Sequence, residues 1–156
     1  MIIKFHTLRS EQWVPRPIEE VFAFFSDPRN LEALTPPWLN FHVILSNSVP
    51  IAAGTEIRYR LGWHGVPIRW TTEIRRWNPP HRFVDVQRSG PYKLWSHMHT
   101  FESLDGGTKI RDVVRYALPF GILGRMVHAI KVRADVARIF EYRKNRIQEL
   151  FGLGRT

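Results

Sequence analysis

The chain contains no cysteine among its 156 residues. This absence excludes disulfide scaffolds, thiolate zinc sites, Cys-x-x-Cys redox motifs and cysteine nucleophiles. It also favours a reducing compartment over a secreted location. We therefore expect a cytoplasmic protein whose fold depends on a hydrophobic core.

Long apolar runs and repeated or low-complexity tracts are also lacking. No segment approaches the ~20 apolar residues that a membrane-spanning helix needs, and the early charge of Lys4 does not suit a targeting segment. No Gly/Ser linker divides the chain, and 156 residues is the usual size of one domain. The sequence therefore predicts one domain over residues 1–156.

Acidic residues are scarce relative to basic ones. Fourteen Asp and Glu oppose 23 Lys and Arg, which gives a net charge of +9 and a pI near 10.6. Residues 121–156 hold 8 of the basic and 3 of the acidic residues. This surplus favours an anionic ligand, an acidic membrane surface or an acidic protein partner. Nucleic acid is not expected, because base stacking needs exposed aromatic side chains beside the basic groups.

Common catalytic motifs are absent as well. The sequence has no Gly-x-Ser-x-Gly elbow, no P-loop, no dinucleotide fingerprint and no His-Glu-x-x-His. Serine hydrolase, nucleotide hydrolase and zincin functions therefore have no support.

The residues that are present predict a strand, two short helices, a run of strands and a long helix. Residues 3–14 have strand character, and helices are expected over 17–25 and 28–34, separated by Ser26-Asp27-Pro28. Six strands follow between residues 41 and 118, separated by turn residues. Residues 122–151 contain no proline and one glycine, which predicts a helix of nearly thirty residues. Its expected apolar stripe is Leu123, Val127, Ile130, Ala134, Ala137, Phe140, Ile147 and Leu150.

An amphipathic helix of this length must bury its apolar stripe. A curved antiparallel sheet with an apolar concave face is the available partner. The expected fold is therefore α+β: a sheet of about seven strands wrapped on a long C-terminal helix, with two short helices after the first strand. Between such a helix and a strongly bent sheet, a cavity for a small molecule is expected.

This order resembles the Bet v 1/START-like superfamily, also called SRPBCC or polyketide cyclase/dehydrase-like, and its helix-grip fold. The segment Pro17-Ile18-Glu19-Glu20-Val21-Phe22, followed by Asp27-Pro28 and Leu31, is similar to that superfamily's opening helix pair. Gly90-Pro91-Tyr92, Gly107-Thr108 and Pro119-Phe120-Gly121 are similar to a bacterial subfamily. The resemblance implies the fold, but not one function, because the superfamily includes lipid carriers, hormone receptors, cyclases and quinone-binding proteins.

A polar and aromatic constellation is expected on the concave face. If Leu104-Asp105-Gly106-Gly107 forms a hairpin loop, His99 opposes Asp112, and a hydrogen bond between them would raise the pKa of the imidazole. The neighbouring positions of these and adjacent strands complete a predicted ligand-binding wall of Tyr59, Trp70, Asp85, Gln87, Trp95, His97, His99, Asp112 and Tyr116.

The alternative is a purely structural role, in which His99 and Asp112 form a buried or outward-facing pair that only sets the strand register. His97, His99 and Asp112 also have the composition of a two-histidine, one-carboxylate metal site. No fourth ligand is apparent, and the resembled family implies no metal, so no metal or other cofactor is expected.

Three functions stay open on this basis. The first is non-catalytic binding of a hydrophobic or aromatic small molecule, whether lipid-like, quinone-like or polyketide-like. The second is a cyclase or dehydratase in which the His99–Asp112 pair transfers protons. The third is docking of the basic C-terminal helix on an acidic membrane surface or protein partner.

Overall fold

The computed structural model describes residues 3–47 and 50–152. Within them the strands form one antiparallel sheet of seven, in the order β1-β7-β6-β5-β4-β3-β2. The predicted number of strands and their antiparallel pairing are thus confirmed. The strands are β1 (His6–Val14), β2 (His42–Ser46), β3 (Glu56–Trp63), β4 (Val66–Asn78), β5 (Arg82–Ser89), β6 (Leu94–Leu104) and β7 (Gly107–Ala117).

Helices precede and follow the run of strands. The two short ones after β1 are α1 (Ile18–Phe25) and α2 (Asn30–Leu34), and a 3₁₀ turn follows at Pro37–Leu39. A continuous C-terminal helix over residues 121–152 consists of α3 (Gly121–Val127), a π turn (His128–Val132), α4 (Arg133–Ile147) and a second π turn (Gln148–Gly152). Across the described residues, no helix is both long enough and apolar enough to cross a membrane.

The β6–β7 hairpin fixes the register of the sheet beneath the site. Asp105 and Gly106 form its turn, with φ of 50° and 76°, and Leu104 pairs with Gly107. Two consecutive residues at positive φ match the twist of the flanking strands, and Asp-Gly is a favoured pair for such a turn. The register places His99 opposite Asp112, as the sequence predicted.

The buried face of the C-terminal helix differs from the predicted stripe. Leu123, Val127 and Ile130 are exposed, as are Ala134, Ala137 and Leu150. A π turn holds more residues than an α turn. The side chains before it are therefore rotated around the helix axis relative to the positions that a uniform α-helix would give them. The buried positions accordingly recur every four residues through the first π turn, and the buried set is His128, Val132, Val136, Phe140, Ile147 and Phe151.

Two hydrophobic clusters support the sheet on its concave side. One includes Phe22 and Phe25 of α1 packed with Phe101 and Ile110. The other includes Val114 and the helix residues Val132, Val136 and Phe140. The cavity described below draws its lining from both clusters, so it lies between the C-terminal helix and the concave face of the sheet.

Candidate functional site

A cavity of about 510 Å³ separates the C-terminal helix from the sheet. This volume falls in the range of sites that hold small organic molecules. Most of the lining is apolar, and its aromatic side chains include Tyr59, Trp63, Trp70, Phe83, Tyr92 and Trp95. The Trp70 and Trp95 rings meet edge to face with centroids 5.3 Å apart, so the aromatic wall is packed.

Four ionisable side chains from three adjacent strands form an Asp–His cluster: Asp85 of β5, His97 and His99 of β6, and Asp112 of β7. His99 Nε2 lies 2.6 Å from Asp85 Oδ2, and His97 Nε2 lies 2.7 Å from Asp112 Oδ1. The two imidazole rings stack with centroids 3.7 Å apart. His99 is therefore hydrogen-bonded to a carboxylate of β5, and His97 is hydrogen-bonded to a carboxylate of β7 on the other side of β6.

This pairing refines the predicted His99–Asp112 hydrogen bond. His99 Nδ1 is 3.2 Å from Asp112 Oδ1, close enough for attraction but without the geometry of a hydrogen bond. The short bond of Asp112 goes instead to His97, its diagonal neighbour across the strand pair. Strand register set which residues are adjacent, while side-chain rotation decided which atoms bond.

The two histidines respond differently to this environment. Burial by itself lowers the pKa of His99, but the attraction of Asp112 and Asp85 outweighs it and raises the pKa above its ordinary value. Burial and repulsion from His99 lower the pKa of His97, and the carboxylates only partly oppose this. Within the cluster, His99 therefore holds a proton more readily than His97 does.

The two carboxylates are held in their ionised form. Burial opposes ionisation, but Arg143 and the histidines hold the pKa of Asp112 well below its usual range. The pKa of Asp85 is also lowered, since its hydrogen bond to His99 and the nearby charges of the histidines and Arg143 together outweigh burial. Two negative charges thus face the positive charge of Arg143 and the imidazole of His99, whose pKa they raise.

Arg143 of α4 is a site residue that the sequence reasoning missed. Its guanidinium lies over the Phe25 ring, 5.2 Å from the centroid, and the side chain lines the cavity. Nε and Nη2 are buried, and none of the residues that the structure describes accepts a hydrogen bond from them. The helical spacing of Phe140, Arg143 and Ile147 places all three on the buried face and could have identified it.

Most of the predicted wall does line the cavity. Six of the nine predicted residues do so: Tyr59, Trp70, Asp85, Trp95, His97 and His99. Asp112 is not a lining residue, and it reaches the site through its contacts with the two histidines. The Tyr59 hydroxyl and the Trp70 indole N–H both bond Thr72 Oγ1, so these two polar groups are already satisfied.

Gln87 and Tyr116 occupy other places. The Gln87 amide donates to the Tyr92 carbonyl at 2.7 Å and accepts from the Tyr92 N–H at 3.1 Å, which braces the loop between β5 and β6. The Tyr116 hydroxyl lies 2.7 Å from His128 Nε2 in the first π turn. Both side chains therefore join structural elements and do not line the cavity.

Three side chains of the cluster could also hold a metal ion. Asp85, His97 and His99 offer ligand atoms within 4.8 Å of one another. His99 Nε2 and Asp85 Oδ2 already bond each other, and the positive charge of Arg143 acts on the same carboxylate. Two of the ligand atoms are therefore already used in a hydrogen bond, whereas His99 Nδ1 has no hydrogen-bond partner among the described residues.

Solved structures resemble this chain over nearly its whole length. Protein Ms6760 from Mycobacterium smegmatis is 21% identical with a TM-score of 0.67, and the alignment covers 96% of each chain. A START superfamily protein from the same organism is 12% identical with a TM-score of 0.69, covering 93% of this chain and 99% of that one. The major latex-like protein 151 from Panax ginseng is 9% identical with a TM-score of 0.69, covering 94% and 97%. These likenesses show the helix-grip fold.

The sequence itself provides the family assignment. No curated protein matches the chain. Residues 14–137 match the family described as polyketide cyclase / dehydrase and lipid transport. That match runs from the end of β1 into α4 and includes the whole aromatic wall and the Asp–His cluster. The chain therefore belongs to the polyketide cyclase/dehydrase and lipid transport family.

Proposed function

We propose that the chain binds a hydrophobic or aromatic small molecule in the cavity between the sheet and the C-terminal helix. The observation that carries this proposal is a cavity of about 510 Å³ whose apolar, aromatic lining is interrupted by a buried charged cluster. Apolar lining supplies affinity, while a few polar groups on one wall orient the ligand. Its polar end lies beside His97, His99 and Asp85.

The charge balance of the cluster specifies the ligand further. Two buried carboxylates face Arg143 and His99, which together carry at most two positive charges, so an anionic ligand would bring an uncompensated negative charge into a buried site. A neutral hydrogen-bonding group such as a ketone, quinone or alcohol adds no charge. We therefore assign the site to amphipathic ligands with a neutral polar end.

Native mass spectrometry of the purified protein, followed by solvent extraction, tests whether such a molecule co-purifies. Binding of added probes is followed by quenching of tryptophan fluorescence, since Trp70 and Trp95 line the cavity. We expect 9-anthracenemethanol to bind at least about tenfold more tightly than 9-anthracenecarboxylate, a difference of about 1.4 kcal/mol. Equal or tighter binding of 9-anthracenecarboxylate would refute the proposal that the polar end of the ligand is neutral.

A cavity-filling variant provides the matched control. Ile68→Trp places a larger side chain at a lining position of β4, whereas Ile44→Trp makes the same change at an exposed position of β2 outside the lining. Only Ile68→Trp should lower probe affinity while the unfolding midpoint stays near that of the wild type. If neither variant changes binding, or the wild type binds no apolar probe, the cavity is not a ligand site.

Catalysis is the second candidate, and the divergent histidines favour it. Two imidazoles stack at the cavity wall with pKa values shifted in opposite directions, so His97 is the better candidate for a proton acceptor and His99 for a donor. A cyclase or dehydratase of this kind should turn over a polyketide-like or cyclic ketone substrate, and His99→Gln should abolish turnover while probe binding persists. Turnover that survives His99→Gln would exclude this role.

A further inference from the structure

The first part of the C-terminal helix carries an unusual amount of exposed apolar surface. Six large side chains between residues 120 and 130 are each 45–82% exposed, and we call them the apolar patch: Phe120, Ile122, Leu123, Met126, Val127 and Ile130. Single exposed apolar residues are normal on a protein surface. A contiguous group of this size marks an interaction site.

The backbone at the start of the patch also presents a ring to solvent. Phe120 has φ of 69° and is 82% exposed, so a bulky residue adopts the left-handed region without burying its side chain. Such a conformation costs on the order of 1 kcal/mol or more in a non-glycine residue. Core packing does not account for it, since the ring is the most exposed of the large hydrophobic side chains described.

The patch is continuous with the cavity. Phe120, Leu123 and Val127 line the cavity and are also largely exposed. Side chains that satisfy both conditions lie where the cavity opens to the outside. The apolar patch therefore forms part of the rim of the opening.

The charged residues of the segment that carries the patch are all basic. Residues 119–134 include three basic residues, Arg125, Lys131 and Arg133, and no acidic residue. The next residue, Asp135, is engaged by the Trp63 indole and by His64, both at 2.9 Å. An apolar surface flanked by basic residues complements a bilayer that contains anionic lipids.

We propose that the apolar patch docks on anionic lipid bilayers, with its side chains in the boundary between headgroups and acyl chains and the cavity opening against the lipid. A second copy of the chain fits less well, because a two-fold contact through the same patch would bring Lys131 and Arg133 of both copies together. Exchange of ligand between bilayer and cavity rests on the proposed binding function, whereas docking itself does not.

Vesicle co-sedimentation tests the docking. Mixed phosphatidylglycerol/phosphatidylcholine vesicles should bind the wild type, and pure phosphatidylcholine vesicles should bind it weakly. The double variant Ile122→Gln/Ile130→Gln should lose at least about tenfold in vesicle affinity, because two apolar side chains no longer enter the bilayer. Lys131→Gln/Arg133→Gln should lose about fivefold per charge, and added salt should reproduce that loss.

Ile44→Gln is the matched control, since Ile44 is 58% exposed on β2 and lies outside the patch. It should bind vesicles as the wild type does, and all variants should retain the wild-type unfolding midpoint. Unchanged vesicle affinity in the Ile122→Gln/Ile130→Gln variant would overturn the proposal. Analytical ultracentrifugation showing a wild-type dimer that this variant dissociates would assign the patch to a second copy instead.

The same samples separate the two proposals. Vesicle binding without binding of 9-anthracenemethanol would remove the ligand function and leave docking intact. Probe binding with no vesicle affinity at either lipid composition would remove docking and leave the ligand function intact. Probe transfer from vesicles that slows in the patch variant, at unchanged affinity for free probe, is the result expected if both hold.

Discussion

Replacing Asp112 by Asn tests the electrostatic account of the cluster most directly. Asp112 is 4% exposed and lies 2.7 Å from His97 Nε2 and 3.2 Å from His99 Nδ1. The amide keeps the size of the side chain and removes its charge. His99, whose pKa both carboxylates raise, is then left with Asp85 as its remaining carboxylate partner in the cluster.

The expected loss of stability is large for one isosteric change. Removing one partner of a buried ion pair costs about 3–5 kcal/mol, and the amide oxygen that Asn retains favours the lower value of about 3 kcal/mol. For a domain of this size, each kcal/mol shifts the midpoint of thermal unfolding by about 2–4 °C. Asp112→Asn should therefore lower the midpoint by about 6–12 °C in a calorimetric or circular dichroism melt.

The dependence on pH has a definite sign. Folding lowers the pKa of Asp112 from about 3.8, so its contribution is complete above that pH and is lost as pH falls through the folded value. Folding raises the pKa of His99 from about 6.5, so its contribution is complete below that pH and is lost as pH rises through the folded value. The difference in stability between wild type and variant should be widest between about pH 4 and 6.5 and narrower on both sides.

A surface carboxylate provides the control. Asp27 forms an ion pair with Arg29 at 2.7 Å, but the Arg29 side chain is 76% exposed. Asp27→Asn should leave the midpoint nearly unchanged, because exposed pairs contribute little. If Asp112→Asn also leaves it unchanged, or if the difference grows steadily toward pH 9, the assigned ionisation states are wrong.

Four further outcomes are expected. Gly107→Ala should destabilise the fold strongly in a thermal melt, because a Cβ there would overlap the backbone of β1, and a wild-type midpoint would contradict this packing. Tyr59→Phe should cost about 1 kcal/mol in urea unfolding through loss of its 2.9 Å bond to Thr72, and no change would mean that the hydroxyl is not bonded. Arg143→Met should shift the acid limb of the stability curve to higher pH, because the pKa of Asp112 rises without the guanidinium, and an unmoved limb would remove Arg143 from the cluster. Zinc should not raise the unfolding midpoint, since His99 Nε2 and His97 Nε2 are already hydrogen-bonded to carboxylates, and a rise abolished by a chelator would establish a metal site.

Local sequence signals were sufficient for the sheet and for much of the wall. The Asp105-Gly106 pair specifies a tight turn, and the alternation through Trp95, His97 and His99 then fixes which side chains share a face. Both signals act between residues close in the chain. The opposition of His99 and Asp112 could therefore be predicted without knowledge of the rest of the fold.

Local sequence signals predicted the length of the C-terminal helix but not its buried face. Its length followed from the lack of proline and near-lack of glycine over residues 122–151, but its buried face did not follow from a 3.6-residue period. The π turns at His128–Val132 and Gln148–Gly152 shift the phase and leave Leu123, Val127 and Ile130 exposed. A periodicity count assumes a constant turn of 3.6 residues, so it does not account for the extra residue in each π turn.

The sequence by itself determined the order of elements, the register of the β6–β7 hairpin and the concave face that carries Trp70, Trp95 and the histidines. Tertiary structure alone decided that His97 bonds Asp112, that His99 bonds Asp85, and that Arg143 enters the same environment from α4. The physical reason is the separation in sequence of the residues that interact. Hairpin turns and the alternation of side chains along a strand depend on neighbours in the chain. Ionisation states and hydrogen-bond partners depend on charges and burial supplied by strands and helices that are distant in sequence.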